Sequence, residues 1–217
     1  MSERCQRLHR AQLYLVCGAQ PDAFLHAALD GGVDLVQLRM KEASDGEIVA
    51  TARRFAAICA RHGALLILND RPDLVAEAGA DGVHVGQDDM PVARARSIVG
   101  PDHIIGLSTH TPGQIEAAGA AGVDYIGVGP VFATPTKPGR PPVGLELVRY
   151  ASARTTVPFF AIGGISPDSV AAVRAAGAGR VAAVRAFTQA SDPFQAAATL
   201  SQALAEPTGQ EVPVGPA

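Results

Sequence analysis

Short apolar runs alternate with longer segments of helical periodicity along nearly the whole chain. Continuous apolar runs that stop at glycine or at a polar residue are typical of strands buried on both faces, as in parallel sheets. The predicted strands cover 12–18, 33–39, 65–70, 82–86, 104–109, 124–131, 159–165 and 180–186. The alanine-rich segments between them predict helices at 21–30, 45–62, 72–80, 91–99, 112–121, 144–154, 167–176 and 192–205. Proline opens several of these helices, where its missing N–H costs the first turn nothing.

Eight strand–helix units within about 200 residues predict an α/β protein with a single (β/α)₈ TIM-barrel domain. An open, doubly wound sheet is the alternative, although it would usually need fewer strands at this length. The barrel is expected to span residues 12–205, after a polar lead-in at 1–11. The tail at 206–217 is rich in proline, glycine and polar residues and is predicted to be disordered.

Composition narrows the class of protein further. Hydrophobic residues make up 47% of the 217 positions, which is enough for one core. The formal net charge of -3 indicates neither a nucleic acid nor a membrane partner, so any anion must be bound by local charge. The three cysteines show no metal-binding spacing, the first residues lack the long apolar segment expected of a signal peptide, and no apolar run is long enough to cross a bilayer. These features predict a soluble, cytoplasmic protein, and exposed alanine-rich helices leave room for a homodimer.

The second predicted strand ends in a cationic segment. In a parallel barrel, the loops that follow the strands all face one mouth. Alternation along the strand places Gln37, Arg39 and Lys41 on the same side, towards the barrel interior or that mouth. Two cations on one side indicate a bound anion, and a solvated strand end is the alternative interpretation.

Carboxylates end the third and fourth predicted strands, at Asp70 and at Asp88–Asp89. Neighbouring strands lie about 4.8 Å apart, so Asp70 and Asp89 are predicted to share one divalent cation, with Mg²⁺ favoured beside phosphate oxygens. The alternative is that one of the two acidic residues caps the helix that begins at Pro91, a role expected of Asp88.

Polar side chains also lie on or after the middle strands. Ser108 ends the fifth strand, where its hydroxyl is placed to donate to an oxygen atom. His110 follows it as either a proton carrier or a loop-lining residue. His84 lies between two valines and is predicted to fill a hydrogen-bonded layer inside the barrel.

The loop after the sixth strand, residues 127–137, combines glycine, proline, two hydroxyls and Lys137. Glycine and proline keep backbone N–H groups there out of helices and sheets, so Thr134, Thr136 and Lys137 predict a phosphate or diphosphate cradle. Glycines after the seventh strand and a helix N-terminus near the eighth suggest a phosphate site typical of barrels.

This inventory suits the departure of an anionic group. A diphosphate held by Mg²⁺, Arg39, Lys41 and Lys137 becomes a good leaving group, and the mouth offers no paired general base. An isomerase or tautomerase would need an acid–base residue, for which His110 is the evident candidate. A protein that senses a phosphorylated small molecule without turnover would have no use for both the carboxylate pair and the cations.

Several motifs in order resemble the thiamine-phosphate synthase family, from about Tyr14 to Ala205. The matching segments are 37–41, 69–71, 80–89, 108–110, 125–137 and 161–165. The resemblance implies a magnesium-dependent transferase of thiamine biosynthesis. Such enzymes join 4-amino-2-methyl-5-hydroxymethylpyrimidine diphosphate to 4-methyl-5-(2-phosphooxyethyl)thiazole and release diphosphate, by dissociative displacement.

The resemblance also assigns roles to residues. It implies that the pyrimidine diphosphate is held by Gln37, Leu38, Arg39, Met40, Lys41, Asn69, Ser108 and Lys137. It implies that the thiazole phosphate is received by Thr134, Pro135, Thr136, Gly164, Val184 and Arg185. Arg39, Lys41, Ser108 and Lys137 are the expected catalytic residues, and Asp70 and Asp89 the expected magnesium ligands. Arg185 departs from the family pattern, since many members carry serine there, and its forked donors suit a phosphate.

Overall fold

The computed structural model describes residues 2–135, 139 and 141–205, and it shows a closed barrel of parallel strands in the sequential order β1 to β8. The predicted (β/α)₈ barrel is therefore confirmed and the open sheet was the wrong alternative. The strands are β1 Leu13–Cys17, β2 Leu35–Leu38, β3 Leu65–Asn69, β4 Gly82–Val85, β5 Ile104–Thr109, β6 Tyr125–Val128, β7 Phe159–Ile162 and β8 Val181–Ala183.

Helices surround this barrel, with one helix or helical segment after each strand. They are α1 Glu3–Arg10, α2 Asp22–Asp30, α3 Asp45–Arg61, α4 Val75–Ala78, α5 Val92–Val99, α6 Pro112–Ala120, α7 Gly144–Arg154, α8 Pro167–Ala175, α9 Arg185–Thr188 and α10 Pro193–Ala205. The helix expected at 72–80 is instead a 3₁₀ turn, Pro72–Leu74, followed by the single turn of α4. Within the described residues no helix combines the length and the apolar character that crossing a bilayer requires.

Side chains of the strands divide between two cores. Alternate residues point outwards and pack against the helices, as Leu66 and Val83 do. The intervening residues point inwards and fill the barrel with a smaller cluster that includes Tyr14, Tyr125 and Phe160. Inward positions near the C-terminal ends of β2, β3 and β5 are polar, at Gln37, Asn69 and Ser108, so that side of the mouth has a polar surface.

Helix α1 was not predicted, because its segment is polar apart from a few residues. The Ser2 side chain caps it by accepting a hydrogen bond from the Cys5 N–H. Leu8 is fully buried in the interior cluster, together with Ala11, and Arg4 pairs with Asp81 at 3.0 Å. The lead-in at 1–11 therefore contains a helix that covers the N-terminal end of the barrel.

Three aspartates connect neighbouring strands at that same end. Each precedes an even-numbered strand and accepts a backbone N–H from the preceding odd-numbered strand: Asp34 from Leu13, Asp81 from Leu66, and Asp124 from Ile105, at 2.8–3.0 Å. These bonds satisfy N–H groups that would otherwise be unpaired where the strands begin. The N-terminal end of the barrel thus serves stability, and the chemistry is expected at the other end.

Strand β8 ends earlier than expected. The apolar run at 180–186 predicted a strand, but only Val181–Ala183 pair, and Arg185 already belongs to α9. Short apolar runs do not distinguish strand from helix by periodicity alone. The consequence is that Arg185 lies on a helix at the barrel mouth rather than within the sheet.

Gly106 gives the first testable prediction. A methyl group at this position would lie 2.1 Å from Cζ of the Tyr125 ring, so the ring would have to move. We expect Gly106→Ala to lower the free energy of unfolding by about 1–3 kcal/mol, the usual cost of overpacking, as measured by urea denaturation. Gly113, whose added methyl group would contact nothing within 4 Å, is the control, and an equal effect of Gly113→Ala would contradict the packing argument.

Candidate active site

A cavity of about 350 Å³ opens at the C-terminal mouth of the barrel. It is lined by residues from strand interiors and from the loops that follow the strands. The polar and charged members of the lining are Tyr14, Gln37, Arg39, Lys41, Asn69, Asp70, His84, Asp89, Ser108, His110, Thr134, Ser166, Arg185 and Gln189. The fold therefore brings most of the residues singled out in the sequence into one cavity.

Tyr14 and Phe160 form the bottom of this cavity, and the fully buried Tyr125 packs against both rings. Tyr14, Tyr125 and Phe160 pack edge to face, with ring centroids 5.2–5.9 Å apart. Such contacts are worth about 0.5–1.5 kcal/mol each beyond simple burial. Burial raises the pKa of both tyrosine hydroxyls, so these phenols stay neutral and act only as hydrogen-bonding groups.

A chain of hydrogen bonds crosses this floor. Gln37 Nε2 donates to the Tyr14 hydroxyl at 2.5 Å, and the Tyr14 and Tyr125 hydroxyls lie 2.8 Å apart. The Tyr125 hydroxyl contacts His84 Nδ1 at 3.0 Å, and His84 Nε2 contacts Ser108 Oγ at 2.9 Å. All five side chains are at least nine-tenths buried, so each needs these partners.

The proton order in this chain follows from the donor at its end. Gln37 donates to the Tyr14 hydroxyl, and we infer that Tyr14 donates its own proton to Tyr125. Tyr125 then donates to His84 Nδ1, so that both phenol protons have an acceptor. In that arrangement His84 donates from Nε2 to Ser108 Oγ. His84 thus fills the hydrogen-bonded layer that the sequence predicted. The connection from Gln37 to Ser108 was missed, because its members are spread over five strands.

Asp70 and Asp89 face each other at the rim. Their side chains are in hydrogen-bond contact, and Asp70 also accepts from Asn69 Nδ2 at 2.6 Å and lies 3.5 Å from Lys41 Nζ. Burial, followed by the proximity of Asp89, raises the pKa of Asp70 above its ordinary value. Two oxygen-donor side chains that repel each other in this way suit a shared divalent cation, which would relieve the repulsion.

Asp88 does not cap the following helix. The N-cap position of α5 is Pro91, and no side chain makes a capping hydrogen bond there. Asp89 Oδ2 instead accepts from the Gly86 N–H at 2.8 Å, which points its carboxylate into the cavity. Asp88 is exposed and outside the cavity lining, so the expectation that it caps α5 was wrong.

The carboxylate pair predicts a pH-dependent stability. A carboxyl group whose pKa is raised on folding favours the folded state when protonated, and this contribution is lost as the pH rises through the folded pKa. We therefore expect Asp89→Asn, which removes the repelling charge, to raise the melting temperature of the metal-free protein at pH 7. The gain should shrink as the pH falls and Asp70 becomes protonated. An unchanged melting temperature at both pH values would show that the two carboxylates do not interact.

Arg39 and Lys41 extend from the end of β2 into the cavity, whereas the side chains of Leu38 and Met40 pack towards the helices. The half-buried Arg39 guanidinium has no hydrogen bond or ion pair within the part of the chain that the structure describes. A half-buried cation without a partner among these residues suits an anionic ligand. The predicted alternation along β2 is therefore correct. Leu38 and Met40, which were expected to hold the pyrimidine diphosphate, are absent from this lining, and Met40 lines a second cavity instead.

The opposite rim carries the remaining predicted residues. Thr134, Gly164, Val184 and Arg185 line the cavity, and Gly164 adopts a positive φ of 69° close to Phe132. Pro135 is exposed and is absent from the lining. Thr136 and Lys137 lie outside the described residues.

Comparison with known proteins identifies the family. A family model described as thiamine monophosphate synthase matches residues 13–187. Thiamine-phosphate synthase of Acidothermus cellulolyticus is 52% identical over 185 residues, which cover 84% of this chain and 87% of that protein. The thiamine-phosphate synthase of Gloeobacter violaceus is also 52% identical, over 86% of this chain, but the chain spans only 55% of that relative's length. The solved thiamine phosphate pyrophosphorylase of Pyrococcus furiosus superposes with a TM-score of 0.83 at 30% identity, covering 92% of this chain and 97% of that one. The chain therefore belongs to the thiamine monophosphate synthase family.

Proposed function

We propose that this chain is a thiamine-phosphate synthase, a transferase that joins the pyrimidine diphosphate to the thiazole phosphate and releases diphosphate. The observation that carries the proposal is the composition of a single cavity. Arg39 and Lys41 lie at its rim with the Asp70–Asp89 pair, above a floor of edge-to-face aromatic rings with directed hydrogen bonds. Such a cavity suits a substrate with an aromatic ring at one end and a diphosphate at the other.

The floor supports a site for the pyrimidine ring. Its hydrogen-bonding groups, Gln37 and Ser108, can orient an aminopyrimidine, while Phe160 offers an apolar surface. Asn69 lies between the floor and the rim, and its bond to Asp70 fixes the side chain. In this proposal Asn69 and Ser108 hold the reacting methylene carbon next to the entering thiazole.

The rim supports the diphosphate site. Arg39 is without a counterion among the described residues, and Lys41 reaches Asp70 from the same strand end. Charge-assisted bonds from these groups would stabilise the leaving diphosphate as negative charge develops on it. Lys137 is proposed to contribute a third cation. Leu38 and Met40 would contribute only through their backbone.

The other rim supports the thiazole phosphate. Gly164 and Thr134 bring a backbone turn and a hydroxyl to the cavity, and Arg185 adds a guanidinium. Pro135, Thr136 and Val184 are proposed to complete this subsite. Because Arg185 carries a full charge where many relatives have serine, we expect the phosphate to be bound at least as firmly here.

The carboxylate pair fits Mg²⁺. Asp70 and Asp89 supply two oxygen-donor groups side by side, and the described residues contain no cluster of three histidine, cysteine or acidic residues that could hold a metal. Magnesium usually takes one or two carboxylates and completes its coordination with phosphate oxygens and water. When bound, the ion would neutralise charge on the diphosphate oxygens. The two aspartates would hold it on the same side as Arg39 and Lys41.

The residues favour a dissociative displacement. Departure of diphosphate leaves a pyrimidinylmethyl cation, which the electron-rich aminopyrimidine stabilises, and the neutral thiazole nitrogen then forms the new C–N bond. Since that nitrogen carries no proton, no general base is required. The buried, aromatic floor excludes water, which would otherwise capture the cation.

The isomerase alternative depends on His110, whose Nδ1 forms a short contact with the carbonyl oxygen of Gly129. That bond orients the ring through Nδ1, as in many proton-carrying histidines, so the assay below and not this contact decides between the alternatives. The sensor alternative leaves the carboxylate pair unexplained. Cytoplasmic location and assembly as a homodimer stay predictions.

Incubating the purified protein with both substrates and Mg²⁺, and measuring diphosphate and thiamine phosphate, tests the proposal. We expect equimolar formation of both products, dependent on the metal. Binding of the thiazole phosphate without any diphosphate release would favour the sensor, and a rearranged phosphate ester would favour the isomerase.

A further inference from the structure

Arg71 lies immediately after Asp70 and makes three hydrogen bonds to carboxylates. Its Nε and one terminal nitrogen donate to both oxygens of Asp73, at 3.0 and 2.7 Å, and the other terminal nitrogen donates to Asp45 at 2.5 Å. These bonds to Arg71 hold the pKa of Asp45 and of Asp73 below their ordinary values. The planar fork of arginine makes this a rigid, three-point connection.

The connection joins two segments that meet at the cavity rim. Asp45 is the first residue of α3, directly after the loop 40–44 that carries Lys41, and Asp73 belongs to the 3₁₀ turn after Asp70. A second cavity of about 250 Å³ separates these segments, and Lys41, Asp70 and Arg71 are all in its lining. Met40 and Ala43 pack that loop against the core, and the Arg71 connection adds a polar link from the start of α3 to the turn after Asp70.

Asp70 itself needs such support. Its backbone has a φ of 60°, which makes it the one residue other than glycine with positive φ among the described residues. A left-handed conformation is unfavourable for residues other than glycine, less so for aspartate, and persists where neighbours impose it. The Asp70 N–H donates to the His84 carbonyl oxygen at 2.9 Å, and the next residue along the chain is the anchored Arg71.

We propose that Arg71 is a positioning residue. Because it ties α3 to the turn after β3, it holds the Asp70 carboxylate and the Lys41 ammonium at the positions that a magnesium-bound diphosphate requires. This inference rests on the proposed function. Arg71 touches neither substrate nor metal in this account. Its two carboxylate partners are half or more exposed, so their ion pairs contribute little to overall stability, and their main effect is local geometry.

Arg53 provides a matched control. Arg53 lies on α3, the helix that begins with Asp45, and it links this helix to α4 by donating to the Glu77 carbonyl oxygen at 3.0 Å. Unlike Arg71, it is outside both cavity linings. Titration calorimetry with inorganic diphosphate and Mg²⁺, without the thiazole substrate, measures binding without turnover. We expect Arg71→Gln to weaken this binding about 10- to 100-fold, the range seen when groups that support metal ligands are removed. Arg53→Gln should change it less than about twofold.

Hydrogen exchange of the Asp70 amide gives a second readout, which we expect to accelerate in Arg71→Gln and not in Arg53→Gln. Should Arg71→Gln fold poorly, Asp45→Asn removes one anchor only and should show a smaller effect of the same sign. Equal binding in Arg71→Gln and Arg53→Gln would overturn the inference. It would leave the proposed function intact, because that fails only if the unmodified protein forms no product.

Discussion

We expect the replacement of Asp89 by alanine to lower kcat/KM for diphosphate release by about 10²–10³-fold and to leave the fold intact. The expected size is that of losing one electrostatic contact to a developing oxyanion, about 3–4 kcal/mol. The fold should survive because Asp89 is exposed and bonds only to the backbone N–H of Gly86 within the described residues, apart from its contact with Asp70. Steady-state kinetics over a range of Mg²⁺ concentrations, with circular dichroism as the check on folding, measures both effects.

Asp88 provides the control for this prediction. It is the preceding residue, has the same side chain, and lies outside the cavity lining. Asp88→Ala should retain kinetics close to those of the unmodified protein, with an unchanged magnesium requirement. If Asp88→Ala were as damaging as Asp89→Ala, the loop as a whole rather than one carboxylate would be responsible, and the assignment of Asp89 would fail.

Replacing Arg39 by methionine is the second change with a large expected effect. Methionine keeps much of the apolar volume of the side chain and removes the charge, so the cavity loses the cation that is without a counterion among the described residues. We expect kcat/KM to fall about 10²–10³-fold, since a contact to the leaving group is strongest in the transition state. Arg39→Lys should recover part of the loss, because it restores charge without the forked geometry.

Arg185 allows the two anion sites to be separated. Arg185→Met should weaken binding of the thiazole phosphate while leaving binding of inorganic diphosphate with Mg²⁺ nearly unchanged. Arg39→Met should do the reverse. Calorimetric titration of each variant with each ligand measures the four affinities. Equal losses for both ligands in either variant would contradict the separation of the two sites across the cavity mouth.

The barrel and its charged rim could be predicted because the sequence carries them locally. A continuous apolar run predicts a parallel strand, and the residues that follow such a strand lie at the mouth of the barrel. Arg39, Asp70 and Asp89 could therefore be placed together from the sequence alone. The side on which Lys41 points followed from strand alternation, and the structure confirms it. This placement did not depend on the hydrogen-bond register between neighbouring strands.

The floor of the site could not be predicted in the same way. Tyr14 and Tyr125 are separated by 111 positions, and each looks like an ordinary core residue within its own strand. Their contact depends on barrel closure, which pairs β1 with β8 and brings distant strands face to face. Helix α1 was missed for a related reason. Its buried residue Leu8 packs into the interior cluster of the barrel, and the sequence alone does not show that contact.

The most direct test of the central claim is a crystal structure with Mn²⁺, in place of Mg²⁺, and diphosphate, in which anomalous scattering locates the metal. The account predicts a single strong peak between Asp70 and Asp89, with the diphosphate against Arg39 and Lys41. Metal and diphosphate bound together elsewhere on the barrel, with the Asp70–Asp89 pair left without either, would contradict it.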